Sequence, residues 1–382
     1  MHMQRTVAME PLGAAGRLSR RRVVLLLAAG AAATISLLLL APAFGDLPDT
    51  WSRLTSGDGR WLLLAFGFEA LSFLGHIVLF RAVSVDAGSR VGMRASTEIT
   101  LAGHAATRLF AAGGAGGVAL TAWALRRSGM DRSQVAARMT TFLVLLYGVY
   151  MATLVAGGLG LYTGVLRGDA PVGLTLVPAI FGALVIAAAL ALPRASGRIE
   201  RHARRRGGRV ARVAPAAAAL GEGVRTSLRL ARSRNPGLLG AFLWWAGDIA
   251  VLWACFEAFG DSPAIAVVVM AYFVGMLANT LPLPGGVGGV DGGMIGALIA
   301  FGVDPGLAVV SVLAYRGFAF WLPIAPGVAA WISLRRTVAG WEHEDAEAAV
   351  AVAEVPATHA LHPAPSSPVH AWPHVCCADR AA

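Results

Sequence analysis

Few residues in this chain are equipped for chemistry, and the most suggestive group lies in one segment, Asn279-Thr-Leu-Pro-Leu-Pro-Gly-Gly-Val-Gly-Gly-Val-Asp-Gly-Gly293. It sets two prolines, six glycines and the carboxylate of Asp291 between strongly apolar runs. Arg316 follows inside the next apolar run. A carboxylate and a guanidinium in such surroundings admit two readings. They neutralise each other as a structural ion pair, or Arg316 binds a phosphate bidentately while Asp291 meets a cationic headgroup or couples protons. Gly285, Gly286 and Gly288 offer close backbone approach and free amides at half-helix starts, which favour an anion. Asn279, at the head of the segment, joins them as a candidate contact. His104 and Arg108, four residues apart on one helical face, form a second candidate anion site. The alternative for Arg108 is a guanidinium that snorkels to an interface. The apolar runs contain no histidine-rich metal cluster, no usefully spaced carboxylate pair and no nucleophile motif, so neither a metal nor a cofactor is expected.

The elements that must hold these residues are membrane helices. The chain has 382 residues, of which 56% are hydrophobic and 14% charged. Soluble domains carry about 25% charged residues. The net charge of +10 comes from arginines placed in loops beside apolar spans, not from a basic face that would suit nucleic acid. That placement follows the positive-inside rule, with anionic lipid headgroups as the expected partner. A basic tail (1–22) precedes a first membrane half (23–193), with spans at 23–43, 61–83, 139–162 and 171–193. An arginine-rich linker (194–236) holds twelve arginines against two acids and is expected on the cytoplasmic face, with a short amphipathic helix as one form it takes. The second half (237–336) has a span at 237–259 and a long run at 306–334 that Pro323 and Pro326 should kink or break. The tail 337–382 turns to alanine, proline, histidine and acid, and is expected to be disordered. Its His359, His362, His370 and His374 read as parts of a dispensable tail rather than metal ligands, and Cys376-Cys377 is a weak palmitoylation signal.

Charge places both termini and the linker in the cytoplasm, within a cell-membrane protein. Stretches 95–125 and 263–301 must then each return to the side they entered from. Two full crossings need about 40 residues, so each is expected to be a re-entrant hairpin. The hairpins resemble each other: Gly113-Gly-Ala-Gly-Gly-Val118 matches Gly285-Gly-Val-Gly-Gly-Val290. The same spacing lays Gly75-His76-Ile77 on Gly247-Asp248-Ile249. The expected fold is all-α and membrane-integral, with about eight transmembrane helices, two glycine-rich re-entrant hairpins and an inverted repeat. A glycine-packed helix contact is the plainer account of these glycines.

Other charges fall inside apolar runs and each needs a partner or water. His76 and Asp248 are expected to meet as a polar pair. Glu69 and Glu257 are placed nearer span ends and partly solvated, and Trp244 and Trp245 in an interfacial aromatic belt.

The segment Asn279 to Asp291, followed by Ala314-Tyr-Arg-Gly317 and Trp321-Leu-Pro323, resembles the signature of the membrane domain of lysylphosphatidylglycerol synthases, the flippase-like or UPF0104 family. The resemblance covers roughly residues 20–336, with Asp291 standing where that family usually has Glu. It implies lipid translocation or membrane lipid handling rather than aminoacyl transfer, because no soluble aminoacyltransferase domain follows. A translocase for an anionic phospholipid or lipid-linked headgroup is the leading expectation. The alternatives are a non-transporting partner of a separate lipid-synthesis enzyme and a membrane enzyme acting on headgroups.

Overall fold

The computed structural model describes residues 56–86, 89–109, 115–206, 208–278 and 288–353. The expected span 23–43, the segment from Asn279 through Gly285 and Gly286 to Val287, and His359, His362, His370, His374, Cys376 and Cys377 lie outside them. Every regular element among the described residues is helical. In chain order they are α1 (Gly59–Ser84), α2 (Met93–Leu109), α3 (Ala115–Arg127), α4 (Arg132–Tyr162), α5 (Val172–Arg206) and α6 (Gly208–Arg232). A short 3-10 turn (Pro236–Leu238) leads into α7 (Leu239–Phe259), α8 (Ile265–Leu277), α9 (Gly289–Ala300) and α10 (Pro305–Arg316). A π-helical turn (Gly317–Trp321) then separates α10 from α11 (Ile324–Ala353). Contacts group the chain into two units, Met1–Ala339 and Gly340–Ala382. In the second unit the described residues are helical, with His343 Nε2 3.2 Å from Glu347.

Acidic residues mark several helix starts. Asp58 accepts from the Arg60 amide and Asp304 from the Leu307 amide, 2.9 and 2.8 Å. Asp131 accepts from the Ser133 and Gln134 amides, and the Gln134 side chain turns back to the Asp131 amide. This capping box satisfies amides that the first turn leaves open. Those donors, with the Ser133 hydroxyl, hold the exposed Asp131 carboxyl below its usual range.

Five helical stretches are long and apolar enough to cross a membrane: Gly59–Ser84, Arg132–Tyr162, Val172–Arg198, Pro236–Phe259 and Pro305–Val350. Four others are shorter. α2 and α3 have 17 and 13 residues, α8 and α9 have 13 and 12. At about 1.5 Å per residue none exceeds about 26 Å, less than the roughly 30 Å hydrocarbon core. Each short pair closes on glycine. A Cβ on Gly117 would meet the Gly103 carbonyl at 2.6 Å, and one on Gly293 would meet the Gly275 Cα at 3.3 Å.

The arginine-rich stretch 194–236 is largely helical: α5 runs through Pro193 to Arg206, and α6 returns along it to Arg232. α6 also docks on α4, where the Ser227 hydroxyl donates to the Thr141 carbonyl at 3.3 Å. Helix likewise continues past Thr337 to Ala353, because that alanine-rich sequence retains helix propensity after losing apolar periodicity. The long run 306–334 is interrupted where Pro323 follows the π turn.

The most extensive helix pairing among the described residues is that of the antiparallel α1 and α7. The Asp58 amide donates to the Ala258 carbonyl at one end (2.9 Å), and Gly237 lies against Ala82 at the other. Between them the Ser72 hydroxyl donates to the Trp244 carbonyl, 2.8 Å. A Cβ on Gly75 would sit 2.7 Å from the Trp244 nitrogen, and one on Gly247 2.8 Å from the Ser72 Cβ. Glycine is what allows the two backbones to touch, as in membrane helix pairs generally. Gly75→Leu and Gly247→Leu should each destabilise the folded protein in detergent by about 1–3 kcal/mol through overpacking. Gly67→Leu, at an exposed position on α1 with open space around it, should leave the unfolding midpoint unchanged.

Candidate functional site

Gly288 has φ +83°, a conformation that glycine adopts without strain, and it opens α9. Its amide donates to Asp291 Oδ2 at 2.9 Å. Asp291 thereby stays at the positive end of the α9 dipole. Its other oxygen faces the Arg316 guanidinium as an ion pair, with the Asp291 side chain 2% and the Arg316 side chain 14% exposed. The expected proximity of these two residues is therefore realised. The contact is an ion pair without hydrogen-bond alignment, and Arg316 Nη2 finds no hydrogen-bond partner among the described residues. The Arg316 guanidinium carbon lies 5.0 Å from the Phe320 ring centroid.

Arg316 is the last residue of α10, immediately before the π turn. In that turn the Leu322 amide reaches back to the Gly317 carbonyl, 2.9 Å. Pro323, four residues on, has no N–H for the Ala319 carbonyl, which accepts from Arg108 Nη2 at 2.5 Å. Arg108 occupies the last turn of α2, where a helix C-terminus favours a cation. Its Nη1 is enclosed and has no partner among the described residues. Arg108 lies within electrostatic reach of Glu69, Asp248, Tyr315 and Arg316. The Ala319 carbonyl holds one of its nitrogens and the protein encloses the other, with the residue as a whole half-buried.

Asp248 and Glu69 complete the group. Asp248 is buried, and its Oδ2 accepts from the phenols of both Tyr272 and Tyr315, the latter at 3.0 Å. Glu69 is 4% exposed. It lies in mid-α1, beside Phe68, whose carbonyl a Gly247 Cβ would approach to 3.0 Å. Gly247 and Asp248 are likewise neighbours, so the two carboxylates flank the closest backbone approach of α1 and α7. They lie within electrostatic reach of each other. Glu69 Oε2 has no hydrogen-bond partner among the described residues.

Several expected placements are corrected. His76 does not pair with Asp248; its Nδ1 lies 3.3 Å from His104 Nε2. His104 stacks on Trp244 at 4.8 Å and meets Phe73 edge-on at 5.0 Å. His104 and Arg108 thus share a helix, but the histidine is engaged in an aromatic block. Glu69 is not near a solvated helix end, whereas Glu257 is half-buried. Trp245 is buried and donates its indole N–H to the Leu146 carbonyl at 2.8 Å, whereas Trp244 is half-buried. The π-turn carbonyl and the convergence of Tyr272 and Tyr315 on Asp248 had no counterpart in the sequence reading. The one available signal was Tyr315, next to Arg316 in the Ala314-Tyr-Arg-Gly317 motif.

Other polar features differ in kind. Glu98 accepts from Ser333 (2.6 Å), Thr337 (2.8 Å) and Arg94 (2.9 Å), a satisfied clamp between α2 and α11. A cavity of about 550 Å³ opens among loops near Asp169, Asp261 and Asp304, and Asp304 serves there as the α10 cap. No group of three or more potential metal ligands occurs among the described residues.

Taken together, the buried group has two guanidiniums, three carboxylates and two phenols, drawn from α1, α2, α7, α8, α9 and α10. Unpartnered guanidinium N–H groups in such a place are suited to an anion that presents several oxygens. Residues 24–327 match the family described as lysylphosphatidylglycerol synthase TM region. The chain is also 27% identical, over 314 residues, to a UPF0104 membrane protein of Methanothermobacter thermautotrophicus. That alignment covers 77% of this chain and 90% of the relative. With helices of membrane-spanning length and a family match over most of its sequence, the chain is a multi-pass integral membrane protein that belongs to the lysylphosphatidylglycerol synthase TM region family.

Proposed function

We propose that this protein is a lipid translocase, which carries the phosphate-bearing headgroup of an anionic phospholipid or lipid-linked substrate past the buried guanidiniums of Arg108 and Arg316. The observation that carries the reading is the pair of enclosed N–H donors, Arg108 Nη1 and Arg316 Nη2, without partners among the described residues. Leaving a buried charged donor unsatisfied is costly, so a site built this way anticipates an acceptor. Phosphate fits because a guanidinium can present two parallel N–H groups to two of its oxygens.

The helix order supports an inverted repeat around this site. A long helix, two short helices and a long helical run occur as α1–α4 and again as α7–α11. The spacing that lays Gly75 on Gly247 also lays Phe68 on Gly240. Exchanging the halves turns the contact of Gly75 with the Gly240 carbonyl into that of Gly247 with the Phe68 carbonyl. α1 and α7 run antiparallel, as partners related by an axis in the membrane plane must. The two short-helix pairs then act as re-entrant hairpins that meet near the midplane, a geometry suited to alternating access. The arginine-bearing loops face the cytoplasm under the positive-inside rule, and so do both termini. A separate lipid-synthesis enzyme as partner fits the same location.

Proteoliposomes with fluorescent phosphatidylglycerol and its aminoacylated form test the reading. Arg316→Gln alone strands Asp291 as a buried charge, so the informative variant is the double replacement Asp291→Asn with Arg316→Gln. It removes the pair without leaving a net charge, and should fold. Its headgroup translocation should fall about 10- to 100-fold, the equivalent of one hydrogen bond to a charged group. Translocation at the wild-type rate in that folded variant would exclude Arg316 as the anion site. Arg108→Lys should also lose most activity, since an ammonium keeps the charge but cannot donate to Ala319 and a phosphate in the same fork geometry. Full activity in Arg108→Lys would reduce Arg108 to a point charge. A wild-type protein that moves no lipid would favour a partner of a lipid-modifying enzyme.

A further inference from the structure

The phosphate reading leaves one buried acid without a task. Three carboxylates, Glu69, Asp248 and Asp291, share the interior with two guanidiniums, Arg108 and Arg316. Asp291 is paired with Arg316 and takes the Gly288 amide. Asp248 is solvated by two phenols, Tyr272 from α8 and Tyr315 from α10. Nothing comparable serves Glu69. Its Oε2 is enclosed and unpartnered among the described residues, and the nearby positive charge is Arg108. The remaining titratable groups facing this region are His76 on α1 and His104 on α2, which are engaged with each other.

Glu69 and an incoming phosphate therefore make the same demand. Both are anions in the field of Arg108, and Asp248 repels both. With all three carboxylates ionised the group already carries one excess negative charge, and a phosphate monoanion would add a second. Like charges at close quarters do not all remain ionised in an apolar setting. A proton on Glu69 removes the added charge and releases Arg108 to the phosphate. Glu69 is the acid to take it, because the other two carboxylates are already held by donors.

We propose that Glu69 is a proton-binding site coupled to anion binding, so that one proton from water is taken up on its carboxylate as a lipid phosphate engages Arg108. The coupling rests on the translocase reading, whereas the proton site stands on the geometry of Glu69, Asp248 and Arg108 alone. Reciprocity of linkage then requires that protonation strengthens anion binding and that anion binding draws in the proton. Above the titration of Glu69, anion affinity should fall about tenfold per pH unit for a one-proton linkage. Below it, affinity should be level.

Two measurements on the full chain in detergent test this. The first is an infrared pH titration of wild type without lipid, compared with Glu69→Gln, which keeps size and polarity. A buried carboxylic-acid band that appears as pH falls and is missing in the folded variant supports the proton site. A titration unchanged by the substitution overturns it, whatever the protein transports. The second is proton uptake in weakly buffered solution on adding short-chain phosphatidylglycerol. Wild type should take up as much as one proton per bound lipid, and Glu69→Gln none, with lipid affinity no longer dependent on pH. Equal uptake by the two proteins would overturn the coupling. Failure of the lipid to bind either protein would count against the translocase reading, and the lipid-free titration would still decide the role of Glu69.

Discussion

Two guanidiniums enclosed among apolar helices determine much of this structure. Arginine stays charged in any protein environment, so Arg108 and Arg316 cannot relieve their burial by losing a proton. The fold answers with nearby opposite charge and with backbone freed from helical bonding. Asp291 meets Arg316 directly, and the π turn supplies the Ala319 carbonyl to Arg108. Pro323, four residues on, has no N–H to offer that carbonyl, which is what leaves it open. The irregularity, the proline that follows it and the arginine it serves are thus one device. Irregular backbone of this kind is tolerated at membrane depth where protein or a polar cavity surrounds it.

Glycine determines where the acids stand relative to those arginines. Without side chains at Gly75, Gly240 and Gly247, α1 and α7 approach until their backbones touch. That approach sets Glu69 and Asp248 on the two sides of one crossing. The same residue type closes both short hairpins, at Gly103 with Gly117 and at Gly275 with Gly293. The glycines therefore have separate roles: some permit packing, and Gly288 alone among these takes a positive φ to start α9 beneath Asp291. The packing account and the site account of the glycine-rich segments are complementary.

The sequence made the helical class, the short hairpins and the proximity of Asp291 to Arg316 legible. Each depends on local facts: apolar run length, a proline-glycine break, and the rule that buried charges seek partners. It did not reveal which polar residues converge from distant helices. His76 and Asp248 occupy matching positions in the two halves, yet equivalent positions in an antiparallel pair need not face each other. His76 turns to His104 and Asp248 to the tyrosines of α8 and α10. Trp245 suits an interface by residue type, yet packing against neighbouring helices buries it. Glu69 was misplaced for the same reason. Its depth depends on how α7 covers α1, which no periodicity within α1 records.

Glu98 and Glu69 show why burial alone does not identify a working residue. Both are acids with little exposure, on helices that contribute to the same unit. Glu98 receives three side-chain donors, from Arg94, Ser333 and Thr337, and so fastens α2 to α11. A carboxylate satisfied in that way has little to gain from a proton or a ligand. Glu69 has an oxygen left over, a like charge across the crossing and a guanidinium whose own donor is left over. Where the protein supplies all the partners, charge fastens helices together. Where it supplies fewer than the chemistry requires, the deficit points to what enters, and around Arg108 and Glu69 the proposed entrants are an anion and a proton.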